Sequence, residues 1–126
     1  MQPTSSTVSV RGLDLKLWSW EPPRGSSGLT ILLLHGFADT APSFDFVASR
    51  LALAGHRVVA PDQRGFGDSA WIGAGGYYHF PDYLADAVDL LRQLAPERLA
   101  VVAHSMGGTV AVQLAGVGVV PLEKLV

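Results

Sequence analysis

Hydrophobic and polar positions along this chain alternate with two different periods, and the periods take turns. Thr7-Val8-Ser9-Val10 and Leu13 to Trp20 have period two and are separated by Arg11-Gly12. Leu13, Leu15 and Leu17 share one face, Asp14 and Lys16 the other, which predicts an antiparallel hairpin with one solvated face. Glu21 to Gly28, rich in Pro, Gly and Ser, reads as a loop. Thr30-Ile31-Leu32-Leu33-Leu34 is a continuous apolar run, as expected of a strand covered on both faces. Ser43 is then placed to cap a helix whose apolar side is Phe44, Val47, Ala48 and Leu51, with Gly55 stopping it.

The alternation continues. Val58-Val59-Ala60 predicts a second buried strand. Leu84, Ala87, Val88 and Leu91 return to helical spacing, with Asp82, Asp86 and Asp89 read as its solvated surface and Pro96 beyond its end. Leu99 to Ala103 is the next strand, Met106 to Ala115 the next helix, and Leu122 to Val126 the beginning of another strand. A hairpin followed by βαβαβαβ predicts an α/β fold, a mostly parallel, doubly wound sheet with helices on both faces. The final apolar run suggests a sheet truncated at the start of its sixth strand, with an open edge.

Composition narrows the function classes. The chain of 126 residues fits one domain, and its 16% charged residues fall below the roughly one quarter usual for soluble domains. The net charge of −2 without a basic cluster argues against nucleic acid as a partner. No cysteine is present, so disulfides and thiolate metal sites are excluded. Met1 to Thr7 has neither a basic nor an apolar signal region, which leads to the expectation of a cytoplasmic protein. Leu99 to Leu122 lacks formal charge, but its four glycines, His104, Ser105, Thr109 and Gln113 argue against a membrane span.

The sharpest chemical signal is Val101-Val102-Ala103-His104-Ser105-Met106-Gly107-Gly108. It places a serine at the joint between a buried strand and a helix, where its hydroxyl projects above a parallel sheet. Such a turn strains the serine backbone and needs small neighbours; Ala103 and Gly107 flank Ser105, and Ala111 and Ala115 continue from Gly107 at helical spacing. The competing reading is a plain helix N-cap. Serine needs a base to take its proton, yet no histidine follows Ser105, and Glu123 is the only carboxylate after it. His35, His56, His79 and His104 show no metal-ligand spacing, and no metal or cofactor is implied.

Two further segments bear on the site. Gly36, after the strand ending at Leu34, permits a turn that other residues resist. The backbone N–H beyond it would pair with that of Met106, at a helix N-terminus, to hold a developing oxyanion. Asp62-Gln63-Arg64-Gly65-Phe66-Gly67-Asp68-Ser69 contains a G-x-G-x-x-A match, but no helix opens directly after the strand, so a dinucleotide site is rejected. A buried Asp62–Arg64 contact organising the loop is expected instead. Phe37, Phe44, Trp71, Tyr77 and Tyr78 are candidate walls of an apolar cleft.

His35-Gly36-Phe37, Asp62 to Ser69 and His104-Ser105-Met106-Gly107-Gly108, in this order and spacing, resemble the α/β-hydrolase superfamily over nearly the whole chain, from about Leu13 to Val126. The resemblance implies Ser105 as nucleophile and Phe37 and Met106 as backbone oxyanion donors. It implies that His35, Gly36, the Asp62 to Ser69 loop with Asp62 and Arg64, His104 and Gly107 support them. Serine here disfavours the haloalkane dehalogenases and epoxide hydrolases, which carry aspartate. Ala103 replaces the first glycine of the usual G-x-S-x-G. The acid and histidine of the family follow the nucleophile in the chain, so residues 1–126 read as the N-terminal part of one hydrolase domain, without its lid. The expected reaction is serine-dependent hydrolysis of an ester or related acyl bond of a small apolar substrate. Acyl transfer, perhydrolysis, carbon–carbon bond hydrolysis or a non-catalytic small-ligand module are the alternatives. The 126 residues alone are expected to turn over little ester and to fold marginally.

Overall fold

A computed structural model describes residues 1–126. Six strands form one sheet: β1 (Thr4–Val10), β2 (Leu13–Trp20), β3 (Leu29–Leu34), β4 (Arg57–Pro61), β5 (Arg98–Ala103) and β6 (Lys124–Leu125). The helices are α1 (Asp45–Leu53), preceded by a 3₁₀ turn at Ala41–Phe44, then α2 (Phe80–Leu94) and α3 (Met106–Val117). The sheet order is β1-β2-β4-β3-β5-β6. β1 and β2 form the expected hairpin, with Val10 opposite Leu13, and β2 joins β4 antiparallel. β4, β3, β5 and β6 run parallel. This is the mostly parallel, doubly wound sheet that the alternating periods predict.

Period-two alternation sorts the side chains into two cores. Leu15, Leu17, Leu32, Leu34, Val59, Leu99 and Val101 face α2 and α3. Trp20, Ile31, Leu33, Val58, Ala60 and Ala100 face α1. β3 therefore has buried residues on both faces from Thr30 to Leu34. Removing this much apolar surface from water is the main term favouring the fold. Trp20 is fully buried, and its indole N–H is satisfied by Asp45 Oδ1 at 2.9 Å, which avoids the penalty of an unpaired buried donor.

The helices depart from the expected faces in informative ways. Ser43 makes no side-chain cap to α1. It lies in the 3₁₀ turn, where its hydroxyl donates to the Thr40 carbonyl at 2.9 Å. Val47 is exposed, while Ala48 and Ala52 carry the contact with the sheet. Small side chains there let α1 lie close to the strands. α2 buries Tyr83, Asp86, Ala87, Leu90 and Leu91, so its seam is rotated from the one expected, and Leu84 and Val88 pack at its margin. α3 buries Gly107, Val110, Ala111 and Leu114, and Ala115 faces outward. No helix is long and apolar enough to cross a membrane.

Candidate active site

Ser105 stands between the end of β5 and the first residue of α3 with φ 52° and ψ −114°. A non-glycine residue with positive φ is strained. The strain turns the chain sharply and leaves the side chain exposed above the sheet. Ser105 Oγ makes no cap bond to α3, which removes the plain N-cap reading. Neighbouring glycines permit the turn. A Cβ on Gly107 would collide with the backbone of Leu34 and His35, so the first turn of α3 rests directly on the end of β3. A Cβ on Gly36 would lie 2.9 Å from His104 Nδ1 and 3.3 Å from Ser105 Cβ. The need for glycine at position 36 is therefore close approach to the elbow and not the backbone freedom expected of it; the positive φ in this loop belongs to Ala38, at 57°.

The two expected oxyanion donors border the same space. Phe37, Ser105 and Met106 line an open cleft of about 540 Å³ with Tyr78, Phe80, Tyr83 and Thr109. Neither the Phe37 nor the Met106 backbone N–H has a hydrogen-bond partner within the protein. Met106 begins α3, where the helix dipole places partial positive charge. Phe37 is held from behind by an edge-to-face contact with Phe66, at 5.7 Å between centroids. Among the other expected cleft walls, Phe44 packs beside α1 instead, and Tyr77 stacks on His79. Trp71 lines an adjoining pocket.

Behind the cleft lies a buried polar framework. His35 is fully buried. Its Nδ1–H donates to the Gly36 carbonyl at 2.8 Å, and Nε2 accepts the Gln63 N–H at 2.9 Å. Burial outweighs the Gly36 bond and the nearby Asp62 and Asp39 charges and pushes its pKa below the ordinary value, and an Nε2 that accepts the Gln63 N–H is that of a neutral ring. The Gln63 side chain donates to the His35 carbonyl at 2.8 Å. These three bonds lock the Gly36–Phe37 turn to the loop after β4.

The expected Asp62–Arg64 contact does not form. Asp62 accepts from the backbone N–H of Ala41 at 2.7 Å and of Asp68 at 3.1 Å, and from Trp18 Nε1 at 3.4 Å. Arg64 turns to α2, where Nη2 donates to Asp86 Oδ1 at 2.6 Å. Hydrogen bonding to Asp86 raises the Arg64 pKa further. Tyr83 Oη donates to the Arg64 carbonyl at 3.2 Å. Asp86 is thus a buried partner and not part of a solvated face. Its position between Tyr83 and Leu90, on the apolar side of α2, is the sequence signal that points to this role.

No histidine is hydrogen-bonded to Ser105. His56 Nδ1 pairs with Ser27 Oγ at 2.8 Å, far along the chain, and His79 stacks on Tyr77. His104 is exposed beside Gly36. No group of three or more His, Asp or Glu side chains is placed to hold a metal ion.

The chain resembles known hydrolases in sequence and shape. It is 38% identical over 119 residues to a 3-hydroxybutyrate-oligomer hydrolase of Cupriavidus necator, covering 94% of this chain and 40% of that protein. It is 35% identical over 108 residues to epoxide hydrolase A of Mycobacterium tuberculosis, covering 86% and 33%. A thioesterase domain from the curacin biosynthetic pathway superposes with a TM-score of 0.89 at 29% identity, covering 99% of this chain and 45% of that one. The chain spans less than half the length of each of these three. Residues 30–124 match the model of the alpha/beta hydrolase fold, and with the strained turn at Ser105 lying inside that match, the chain belongs to the alpha/beta hydrolase family.

Proposed function

We propose that this chain carries the nucleophile and oxyanion donors of a serine-dependent hydrolase that cleaves an ester or related acyl bond. The observation that carries the reading is Ser105 itself, strained at φ 52° and exposed on the cleft beside the unpaired N–H groups of Phe37 and Met106. Ser105 Oγ attacks the substrate carbonyl as a base takes its proton. The carbonyl oxygen gains negative charge and is held by the two N–H groups. Collapse expels the alcohol or thiol and leaves an acyl-serine, which water then hydrolyses.

Serine chemistry also favours acyl substrates over epoxides. A serine that opened an epoxide would form an ether, which has no carbonyl for water to attack. An acyl-serine keeps that carbonyl. The thioesterase neighbour accords with acyl cleavage.

The base and its acid partner lie outside these 126 residues in this reading, which agrees with the share of the relatives that the chain spans. Loss of a key triad member costs up to about 10⁶ in kcat, so residues 1–126 alone have little turnover. A second reading, a small-ligand module without catalysis, is favoured by the lack of any histidine bonded to Ser105. Labelling of the full-length protein with a fluorophosphonate separates the two. Phosphonylation that maps to Ser105 and disappears in Ser105→Ala supports the hydrolase; an unreactive Ser105 supports the binding module.

A further inference from the structure

Beside the Ser105 cleft is a second, smaller pocket of about 220 Å³, lined by Phe37, Gly65, Phe66, Trp71, Tyr78 and Tyr83. Phe37, Tyr78 and Tyr83 line both spaces. Every side chain around the smaller pocket is aromatic, and none carries formal charge. Gly65 contributes no side chain, and a Cβ there would run into the Tyr78 ring, so glycine keeps that wall open. Pockets that hold a whole drug-sized ligand measure roughly 300–1,000 Å³, so this one suits one arm of a substrate.

Phe37 links the two spaces chemically. It lines both, its backbone N–H is without a partner in the protein, and its ring meets that of Phe66, a wall of the side pocket. Phe37 and Phe66 already meet edge-to-face, with an interplanar angle of 83°. A further ring entering this group would find the positive edges and negative faces that aromatic pairs prefer. A carboxylate would lose its hydration and meet no cationic partner.

We infer that the pocket formed by Phe66, Trp71 and Tyr78 is a specificity subsite that takes a ring-sized arm of the substrate free of negative charge while the carbonyl lies at Ser105. The assignment rests on the acyl-hydrolase reading for the place of the carbonyl. Trp71 is the residue to test, because it is 71% exposed and can be truncated without touching either core.

The experiment measures binding of neutral amides to full-length Ser105→Ala protein by NMR of the amide's own signals, which reads every variant, with the Trp71 indole as a second reporter where it is present. N-benzylacetamide shifts that resonance, and Trp71→Ala weakens its binding by about threefold to tenfold. N-ethylacetamide, which lacks the ring, is unaffected by Trp71→Ala. A benzyl amide bearing a ring carboxylate binds more weakly than the neutral one. Equal affinities for the benzyl and ethyl amides, no binding of either, or an equal loss for both in Trp71→Ala would overturn the subsite. Because Ser105 is absent from this assay, its result is independent of fluorophosphonate labelling: binding without labelling rejects the hydrolase and keeps the pocket, and labelling without ring preference does the reverse.

Discussion

Arg64 and Asp86, 22 residues apart in the chain, form a buried ion pair beneath the cleft, with side chains 6% and 8% exposed. The pair joins the loop after β4 to α2. Asp86 also accepts from Arg11 Nη1 at 3.2 Å, so two guanidinium groups converge on it. Breaking a buried pair by removing one partner leaves a buried charge without compensation, at about 3–5 kcal/mol. In Asp86→Ala the Arg64 guanidinium keeps only Asp82 Oδ1, at 3.6 Å, so a loss of about 3 kcal/mol, the lower end of that range, is expected in urea unfolding. Replacing both residues, as Arg64→Met with Asp86→Leu, is expected to recover most of the loss. A double variant as unstable as the single one would show that the pair acts through something other than charge burial.

Gly107 and Gly108 are adjacent and should respond to alanine with opposite signs. Gly107 faces the Leu34 and His35 backbone, where a Cβ has no space. Gly108 has nothing within 4 Å of an added Cβ. Both lie in the first turn of α3. Gly108→Ala is expected to stabilise by about 0.5–1 kcal/mol through reduced chain entropy. Gly107→Ala is expected to destabilise by about 1–3 kcal/mol or more through overpacking against backbone that cannot give. Thermal midpoints of the two variants decide this; a matching sign would remove close packing as the reason for Gly107.

What the sequence made legible follows from range. The β3 run and the alternation of β2 are local patterns, and burial on both faces of β3 follows from them. The elbow at Ser105 is also local, because strand, small residues and helix lie within eight positions. Long-range pairings were not legible. Asp62 and Arg64 look like natural partners because they are two residues apart, but each is claimed by another element: Asp62 by Ala41 and Trp18, Arg64 by Asp86. Asp82, Asp86 and Asp89 read as one solvated row because all three are acidic. Only Asp86 shares the face of Tyr83 and Leu90, and its burial depends on an arginine that the helix pattern does not contain. Ala115 is exposed for a different reason: the buried face of α3 runs through Gly107, Val110, Ala111 and Leu114, and at about 100° per residue position 115 falls off its edge.

His35 makes stability depend on pH in a definite direction. Its ring is fully buried and neutral, with Nε2 accepting from the Gln63 N–H. Its folded pKa is depressed from 6.5 chiefly by burial. In the unfolded chain the ring protonates near pH 6.5, so the unfolded state binds more protons below that value. The contribution is therefore complete above about pH 6.5 and is lost as pH falls toward the folded pKa, by up to about 1.4 kcal/mol per pH unit in that window. Urea unfolding between pH 7.5 and 5 should show this loss. His35→Asn, less stable at neutral pH, should have a flatter profile over the same range. Parallel profiles for the two proteins would assign the dependence to other groups.

Ser105 should store strain that a stability measurement can read separately from reactivity. Its φ of 52° and ψ of −114° lie where residues with a Cβ are disfavoured, at about 1–3 kcal/mol for such a conformation. Glycine tolerates this region but loses about 0.5–1 kcal/mol in chain entropy. Ser105→Gly is therefore expected to be more stable than the parent by about 1 kcal/mol. Ser105→Ala keeps the Cβ and the strain, and should match the parent within about 0.5 kcal/mol. Both variants lose the hydroxyl and should be inert to fluorophosphonate. Stability gained only by Gly, with reactivity lost in both, would mean that the backbone at position 105 is held in place to present a hydroxyl, at the expense of the fold. If Gly and Ala variants unfold at the same urea concentration, the turn is relaxed and the projection of Ser105 needs no stored strain.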